Sequence, residues 1–172
     1  MTARYRAPEL LDDCHHIADF SSQSVEQTEW LHRLARQSAG TGTTKVFVVT
    51  EAEALAVVAF YAWCMAQITP AEAPARVRKG AGRYPQPVAL LARLGVDSAH
   101  EGNGLGAALL QDVLARLLAL SEDIGCRGLL VHCESDTARD FYLHLVPEFE
   151  ASPTDPLHLF LLMKDIRRTL RR

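Results

Sequence analysis

Between residues 88 and 118 the chain passes from an apolar run, through a glycine-rich dozen, into the strongest helical repeat it contains. Val88-Ala89-Leu90-Leu91-Ala92-Arg93-Leu94-Gly95-Val96 is apolar at nearly every position, the pattern of a central strand covered on both faces. Leu105, Leu109, Val113 and Leu117 then recur every four residues, with Leu110, Leu114 and Leu118 one position on, which is the broad apolar face of a helix. Between them lies Gly95-Val96-Asp97-Ser98-Ala99-His100-Glu101-Gly102-Asn103-Gly104-Leu105-Gly106. A strand, a glycine loop and a helix in succession place free backbone N–H groups at the positive end of a helix dipole, where a phosphate or pyrophosphate can sit. Gly102-Asn103-Gly104-Leu105-Gly106 lacks the Gly-Lys-Ser/Thr ending of a P-loop and the Gly-x-Gly-x-x-Gly spacing of a dinucleotide fingerprint. On the residues alone, it is either an anion site or a tight strand-to-helix turn.

At 172 residues, 48% hydrophobic and 23% charged, the chain has the size and balance of one globular domain. Cys14, Cys64, Cys126 and Cys133 form no C-x-x-C pair and lie among apolar residues, so they read as reduced thiols, with no metal site expected. No signal peptide and no apolar run of membrane-spanning length is evident, and a cytoplasmic protein without membrane association is expected. The net charge of −3 argues against a nucleic-acid binder, but its distribution does not. Arg76, Arg78, Lys79 and Arg83 cluster before the central strand with Glu72 as nearest acid, and Lys164, Arg167, Arg168, Arg171 and Arg172 end the chain around Asp165. Half of the 18 cations therefore occupy two short stretches, either basic patches for a polyanion or a solvated loop and a frayed tail.

Residues 1–38 read as helical, with Leu10, Leu11, Ile17 and Phe20 on the face of a first helix. Ser24-Val25-Glu26-Gln27 has the form of a capping box that starts a second. Lys45–Thr50 and Ala54–Trp63 are rich in β-branched and aromatic residues and predict an antiparallel hairpin across Glu51-Ala52-Glu53. Residues 66–87, with four prolines and two glycines, read as a long surface connection containing at most a helical turn. After the repeat, Gly128–Cys133 predicts a buried strand, near-parallel to the central one. Asp136 or Thr137 is the expected cap of a helix carrying Ala138, Phe141, Tyr142 and Leu145, which Pro147 ends. Leu157–Met163 predicts a last strand. The expected architecture is α/β (α+β): a mixed sheet of about five to seven strands flanked by helices on both faces.

These residues resemble the GNAT acetyltransferase superfamily, whose phosphate loop reads Gln/Arg-x-x-Gly-x-Gly/Ala. Here it is Glu101-Gly102-Asn103-Gly104-Leu105-Gly106, with Glu101 in place of the usual Gln or Arg. The chain is further similar, over nearly its whole length, to the acetyltransferase toxins of type II toxin-antitoxin pairs, the TacT-like and AtaT-like proteins. That likeness rests on Leu91–Asp97, the Gly102–Gly106 loop, Ile124-Gly125-Cys126-Arg127, Ala138-Arg139-Asp140-Phe141-Tyr142 and the arginine- and proline-bearing segment 73–87. Val146-Pro147-Glu148-Phe149 departs from the group, which usually has Gly-Phe there.

The resemblance implies a single GNAT N-acetyltransferase domain over 1–172, with a splayed central strand and acetyl-CoA as co-substrate. Leu94, Gly95 and Val96 would hold the pantetheine arm, and Glu101, Gly102, Asn103, Gly104, Leu105, Gly106 and Ala107 the pyrophosphate. Tyr142 matches the general acid that protonates the leaving thiolate, and a phenol, with its ordinary pKa of about 10, is protonated at neutral pH. No base stands out; His132 and Glu134 only flank a strand end. An acceptor such as the α-amino group of aminoacyl-tRNA needs little help, because α-amines have a pKa of about 7.7–8.0. Arg76, Arg78, Lys79 and Arg83, with Arg93, would grip tRNA phosphates. The implied protein is a homodimeric toxin that blocks translation and is neutralised by a ribbon-helix-helix antitoxin. The rivals are a GNAT enzyme acting on a small amine or a protein N-terminus, and a non-catalytic acyl-CoA-binding module.

Overall fold

In the computed structural model the described residues are 3–80 and 82–172. Met1, Thr2 and Ala81, which fall in the expected helical stretch 1–38 and the connection 66–87, lie outside them. In chain order the elements are β1 (Glu9–Leu10), α1 (Val25–Arg33), α2 (Ala35–Gly40), β2 (Lys45–Thr50), β3 (Val57–Ile68), α3 (Ala75–Arg78) and β4 (Gln86–Val96). A 3₁₀ turn (Ser98–His100) follows, then α4 (Leu105–Leu120), β5 (Gly128–His132), α5 (Asp136–Leu145), β6 (Glu150–Ala151), β7 (His158–Leu162) and α6 (Met163–Leu170). The strands make one mixed sheet in the order β1-β2-β3-β4-β5-β7-β6, so the α/β expectation holds at the upper end of its strand count. The residues gather into two compact units, one of the chain up to Cys64 with Ala92–Asp112, the other of Met65–Leu91 with Val113–Arg172.

In the first unit, the helix expected over Leu10–Phe20 does not form. The segment is extended instead: β1 pairs antiparallel with β2 (Glu9 opposite Val48), and bridges join Tyr5 to Glu51 and His16 to Ala56. The physical reason is that β2 would otherwise be a bare edge. Arg6 N and Leu11 N donate to Thr50 O and Val46 O, so pairing satisfies strand groups that a helix would leave open. Leu10 is 52% exposed whereas Phe20 is 2% exposed, so only part of the supposed helical face is core. Phe20 packs edge-on to Phe60 with Leu31, Val46 and Val48 around them, a burial that contributes about 2–3 kcal/mol for the phenylalanine alone. Ser24 caps α1 as the sequence indicates, its hydroxyl accepting from Gln27 N at 3.1 Å. β2 and β3 form the expected antiparallel pair, but β3 starts at Val57 and runs on to Ile68, with a register shift at Val49/Thr50. The Tyr61 hydroxyl, inside the core, donates to the Asp112 carboxylate on α4 at 2.7 Å, tying strand to helix.

In the second unit, β4 and β5 pair in parallel (Ala89 opposite Leu129, Leu91 opposite Val131), with α4 as the crossover. β5 also pairs antiparallel with β7 along its whole length. Ile68, Val77, Val88, Leu130 and Phe160 form a core beneath α3, a helical turn in the long connection. The cap of α5 is Ser135, not Asp136 or Thr137: the Ser135 hydroxyl accepts from Ala138 N, placing both expected caps inside the first turn. The last strand ends at Leu162, one residue before the expected Met163. The basic tail is then an ordered helix, with Ile166 and Asp165 buried and Lys164, Arg167 and Arg168 exposed.

Gly128 sits where β5 passes closest to β7. A Cβ built there would collide with Leu161 O, a backbone atom that cannot yield without breaking the ladder. Gly128→Ala is therefore expected to cost about 3 kcal/mol and to lower Tm by about 6–12 °C, as measured by thermal unfolding followed by circular dichroism.

Candidate active site

β4 becomes a loop at Asp97. Its backbone N–H donates to Val58 O at 2.8 Å, and its two carboxylate oxygens accept from Ser21 N at 3.0 Å and Ala99 N at 2.9 Å. These bonds fix the 3₁₀ turn, whose His100 ring meets the Tyr5 hydroxyl at Nδ1, 2.9 Å away. Gly102 and Gly104 then adopt φ of +79° and +76°, and a Cβ on either would find no atom within 4 Å, so backbone conformation rather than crowding demands glycine. The Asn103 side chain folds back to donate to His100 O at 2.9 Å, while its Oδ1 accepts from Arg4 at 3.5 Å. The first intrahelical bond of α4 beyond the loop is Ala108 N to Gly104 O, so the N–H groups of Leu105, Gly106 and Ala107 precede it. Residues 101–104 and Ala107 are exposed, Gly106 is half-buried, and the Leu105 side chain anchors the turn in the core. A pyrophosphate fits this set of donors: they are open, unclaimed by the helix, and at the positive end of its dipole. Glu101 is exposed beside them.

Leu94 and Val96 are half-buried at the end of β4. Gly95 between them is buried, and a Cβ there would lie 2.9 Å from the Phe60 ring and 3.4 Å from that of Phe20. Its missing side chain thus serves packing against two aromatic rings. Any contact it makes with a ligand has to come from its backbone.

Tyr142 lies on α5, 6% exposed, between the rings of Phe141 (5.1 Å) and Phe149 (6.0 Å). Burial, reinforced by Cys133 and Glu134, pushes its phenol well above the ordinary value, which keeps it a proton donor. Burial also pushes the Cys133 thiol up to about 11, so that sulfur is neutral and inert at pH 7. The candidate bases are less isolated than the sequence suggests. His132 lies opposite His158 across the β5–β7 ladder, and their rings stack at 3.8 Å and 15°. Partial burial and the neighbouring His158 lower its pKa. These two rings line a cavity of about 130 Å³ with Glu72 and Ser152. Asp12, Cys14 and His15 bring ligand atoms within 4.8 Å of one another, but both ring nitrogens of His15 are engaged, by Glu9 and by Asp12 N.

The predicted cations do not form one group. Arg93 pairs with Glu26 at 2.7 Å and lies over the Trp30 ring at 5.6 Å, so its charge is already matched. Arg78 lines a small cleft with Val77 and Tyr84, and Arg83 is exposed. Arg76 and Lys79 line a groove of about 560 Å³ together with Arg127, Lys164 and Arg167. Those last three are not among the cations that the family likeness points to. The signal for two of them is the Lys164–Arg167 spacing of three, on the face opposite Ile166 in a short amphipathic helix.

A model of the acetyltransferase (GNAT) family matches residues 11–145. This chain belongs to the GNAT acetyltransferase family. A curated relative, the tRNA-acetylating toxin of Mycobacterium tuberculosis (strain ATCC 25618 / H37Rv), is 42% identical over 163 residues, 95% of each chain. Among solved structures, AtaT complexed with acetyl-methionyl-tRNAfMet superposes with a TM-score of 0.85 at 20% identity, covering 94% of this chain and 97% of that one. A mutant of AtaT bound to the C-terminus of the antitoxin AtaR superposes with a TM-score of 0.83 at 18% identity, covering 99% and 100%. At those identities the structural likeness shows the fold. The loop of this chain leads directly into α4 and Tyr142 lies on α5, although Val146-Pro147-Glu148-Phe149 follows that helix without the usual glycine.

The displaced phenol has a measurable consequence. Because the folded-state pKa of Tyr142 is raised, the donor form persists as pH rises past 10, where an exposed tyrosine would already be half ionised. A pH titration of absorbance near 295 nm, comparing the wild type with Tyr142→Phe, is expected to show no difference at pH 10, with the missing phenolate appearing only at higher pH.

Proposed function

We infer that this GNAT protein moves an acetyl group from acetyl-CoA to the amino group of aminoacyl-tRNA and so blocks translation as a toxin. The observation that carries this reading is the 42% identity to a tRNA-acetylating toxin across 95% of both chains. It is supported by the loop, whose free N–H groups suit a pyrophosphate, and separately by the buried phenol of Tyr142, which stays protonated. Backbone N–H groups of residues 102–107 receive the pyrophosphate, and the backbone of β4 at Leu94 and Val96, beyond its pairing with β5 at Ala89–Leu91, receives the amides of the pantetheine arm. As the amine nitrogen bonds to the acetyl carbon, the C–S bond breaks and the Tyr142 hydroxyl gives its proton to the departing sulfur. The amine loses a proton to solvent. At neutral pH a useful fraction of an α-amine is already unprotonated, so the transfer needs no strong base and no metal.

The same reading treats residues 1–172 as one acetyltransferase domain, supported by the family match over 11–145. Arg76, Arg78, Lys79 and Arg83 serve the nucleic acid, with Arg93 bracing α1 through Glu26. AtaT, of the same fold, has been seen with charged tRNA and with the end of its antitoxin, and we assign this chain both kinds of partner, the antitoxin being of ribbon-helix-helix type and the toxin a homodimer. Among the described residues no helix is long and apolar enough to cross a membrane, and the site of action is the cytoplasm, where aminoacyl-tRNA is used.

The test is incubation with labelled acetyl-CoA and total charged tRNA, followed by identification of the labelled aminoacyl ester. Wild type is expected to label tRNA and to arrest growth when expressed. Tyr142→Phe is expected to lower kcat by about 10²–10⁴ with the Kd for acetyl-CoA unchanged. A wild-type chain that labels no tRNA and leaves growth untouched would exclude the toxin reading. For Glu101→Gln, acetyl-CoA binding measured by calorimetry is expected to tighten by less than about tenfold at low salt, an effect that fades at high salt because the carboxylate is exposed.

A further inference from the structure

One residue beyond the last β4–β5 pair, Leu91 opposite Val131, the sheet carries two histidines side by side. His132 ends β5 and His158 begins β7, and their rings stack with centres 3.8 Å apart. They are held differently. His158 Nε2 lies 3.4 Å from an Asp155 carboxylate oxygen, and its backbone is tied on both sides, the N–H donating to Asp155 O and the carbonyl accepting from Ser152 N. His132 is exposed, and among the described residues neither of its ring nitrogens makes a hydrogen bond or an ion pair. The stack therefore fixes the plane of the His132 ring while leaving both nitrogens without a protein partner.

The cavity beside the pair, about 130 Å³, is lined by apolar Ile68, Leu90 and Leu130 and by polar Glu72, Ser152 and the two histidines. Its polar lining is braced: the Ser152 hydroxyl donates to Glu72 O at 2.6 Å, and the Glu72 carboxylate accepts from Thr69 N at 3.0 Å and from the Thr69 hydroxyl at 2.9 Å. The volume is well below the roughly 300 Å³ at which small-molecule sites begin, so it admits an amine and the carbons beside it rather than a nucleotide. The strand also separates two proton-handling groups. Cys133 continues the β5 ladder, its N–H donating to Leu157 O at 2.8 Å, so the Cys133 and His132 side chains leave the strand on opposite faces. After burial, Cys133 is the strongest influence on the Tyr142 phenol, which places that phenol on the Cys133 side. A proton donor and an imidazole thus flank one strand end from two sides. Acyl transfer calls for such a division, because one proton must leave the attacking nitrogen while another reaches the departing sulfur.

We propose that His132 is the proton acceptor of the reaction, taking a proton from the α-amino group of the aminoacyl ester seated in the cavity it shares with Glu72 and Ser152, with His158 as the positioning residue that holds its ring. The proposal rests on the acetyl transfer described above. The nitrogen bonds to the acetyl carbon and its proton passes to a His132 ring nitrogen; the C–S bond breaks and the sulfur takes the Tyr142 proton. The exposed imidazolium then releases its proton to solvent, and the tyrosinate regains one from solvent, which restores the enzyme. Histidine is a weak base, and a weak base suffices for an α-amine. It has to be neutral at pH 7 to serve. Desolvation at the cavity and, next, the adjacent His158 hold its pKa below the ordinary 6.5, against an opposite pull from Asp155 and Glu72.

The test compares wild type with His132→Ala in the full chain, acting on charged tRNA. Because His132 is exposed the fold is expected to survive, which circular dichroism checks; if it does not, His132→Asn is read by kcat and pH alone. At pH 7 kcat is expected to fall about 10²-fold, the low end for a general base, with the Kd for acetyl-CoA unchanged, and added imidazole is expected to restore it about tenfold. The titration of the amine itself cancels in the ratio of wild-type to variant kcat. That ratio is expected to shrink as pH falls through the range below 6.5, since protonated His132 accepts nothing. In a His158→Ala background the midpoint of the decline is expected to move up, because the second imidazole depresses the first. Three results would each overturn the assignment while leaving acetyl transfer to tRNA standing: a kcat within about threefold of wild type, a loss equal at every pH and indifferent to imidazole, or a midpoint that stays or moves down. If wild type labels no charged tRNA, that choice of acceptor fails, and the same comparisons on alanine methyl ester, a free α-amine, decide His132. No transfer to this ester either overturns the proposal as well.

Discussion

The three hydrogen bonds around Asp97 decide where the central strand stops and at what angle the helix after it begins. One backbone donor binds the chain to β3 through Val58 O, one carboxylate oxygen holds the segment before α1 through Ser21 N, and the other folds the next two residues into a turn. Two glycines at positive φ can then reverse the chain without side-chain strain, and α4 starts with its donors facing outward. A polar group so fully used is costly to replace, since each lost partner leaves a neighbour unsatisfied. The glycine loop and the start of α4, the proposed anion site, therefore hang on one side chain that never needs to touch a ligand.

Electrostatically the chain is divided in purpose. The acids that bring net charge to −3 are spent on structure: Glu26 on Arg93, Glu51 on Arg4, Glu148 on Arg172, Asp165 on Arg76 and Arg168. The pairs of Glu51 with Arg4 and of Glu26 with Arg93 lie at the surface and contribute little stability, generally below about 1 kcal/mol, whereas Asp165 is buried. Their effect is to quench those particular cations, while others such as Lys79, Lys164 and Arg167 stay exposed without an ion pair among the described residues. Net charge misleads in such a protein because it sums quenched and unquenched groups alike.

Elements with long, clean periodicity were legible in the sequence: β2 and β5 lie within a residue of their expected bounds and α4 takes in the whole Leu105–Leu118 repeat, since burial on one face or both leaves few alternatives. The extended segment before α1 was not, because Leu10, Leu11, Ile17 and Phe20 have a spacing that suits a helix, and only the bare edge of β2 decides otherwise. Two-residue β6 and eight-residue α6 are too short for a pattern to stand out, and in α6 the charges hide a small apolar face. At the site, the glycine loop declared itself through composition. Tyr142 needed the family likeness, because a tyrosine beside a phenylalanine on an apolar helix face reads as core, and by burial it is core. The groove was illegible for another reason: Arg127 meets Lys79 from 48 positions away, and no local window contains both.

Under the proposed mechanism, the burial of Tyr142 links acid strength to packing. Its acidity is governed by how completely Phe141, Phe149 and the region of Cys133 keep water from the phenol, rather than by any residue that meets the substrates. Drift in those apolar neighbours, of the sort tolerated without loss of fold, can weaken or strengthen the proton donor in small steps. Under the proposed function this offers selection a graded dial: the strength of the proton donor can be set by core volume alone, with the glycine loop and the surface cations left intact.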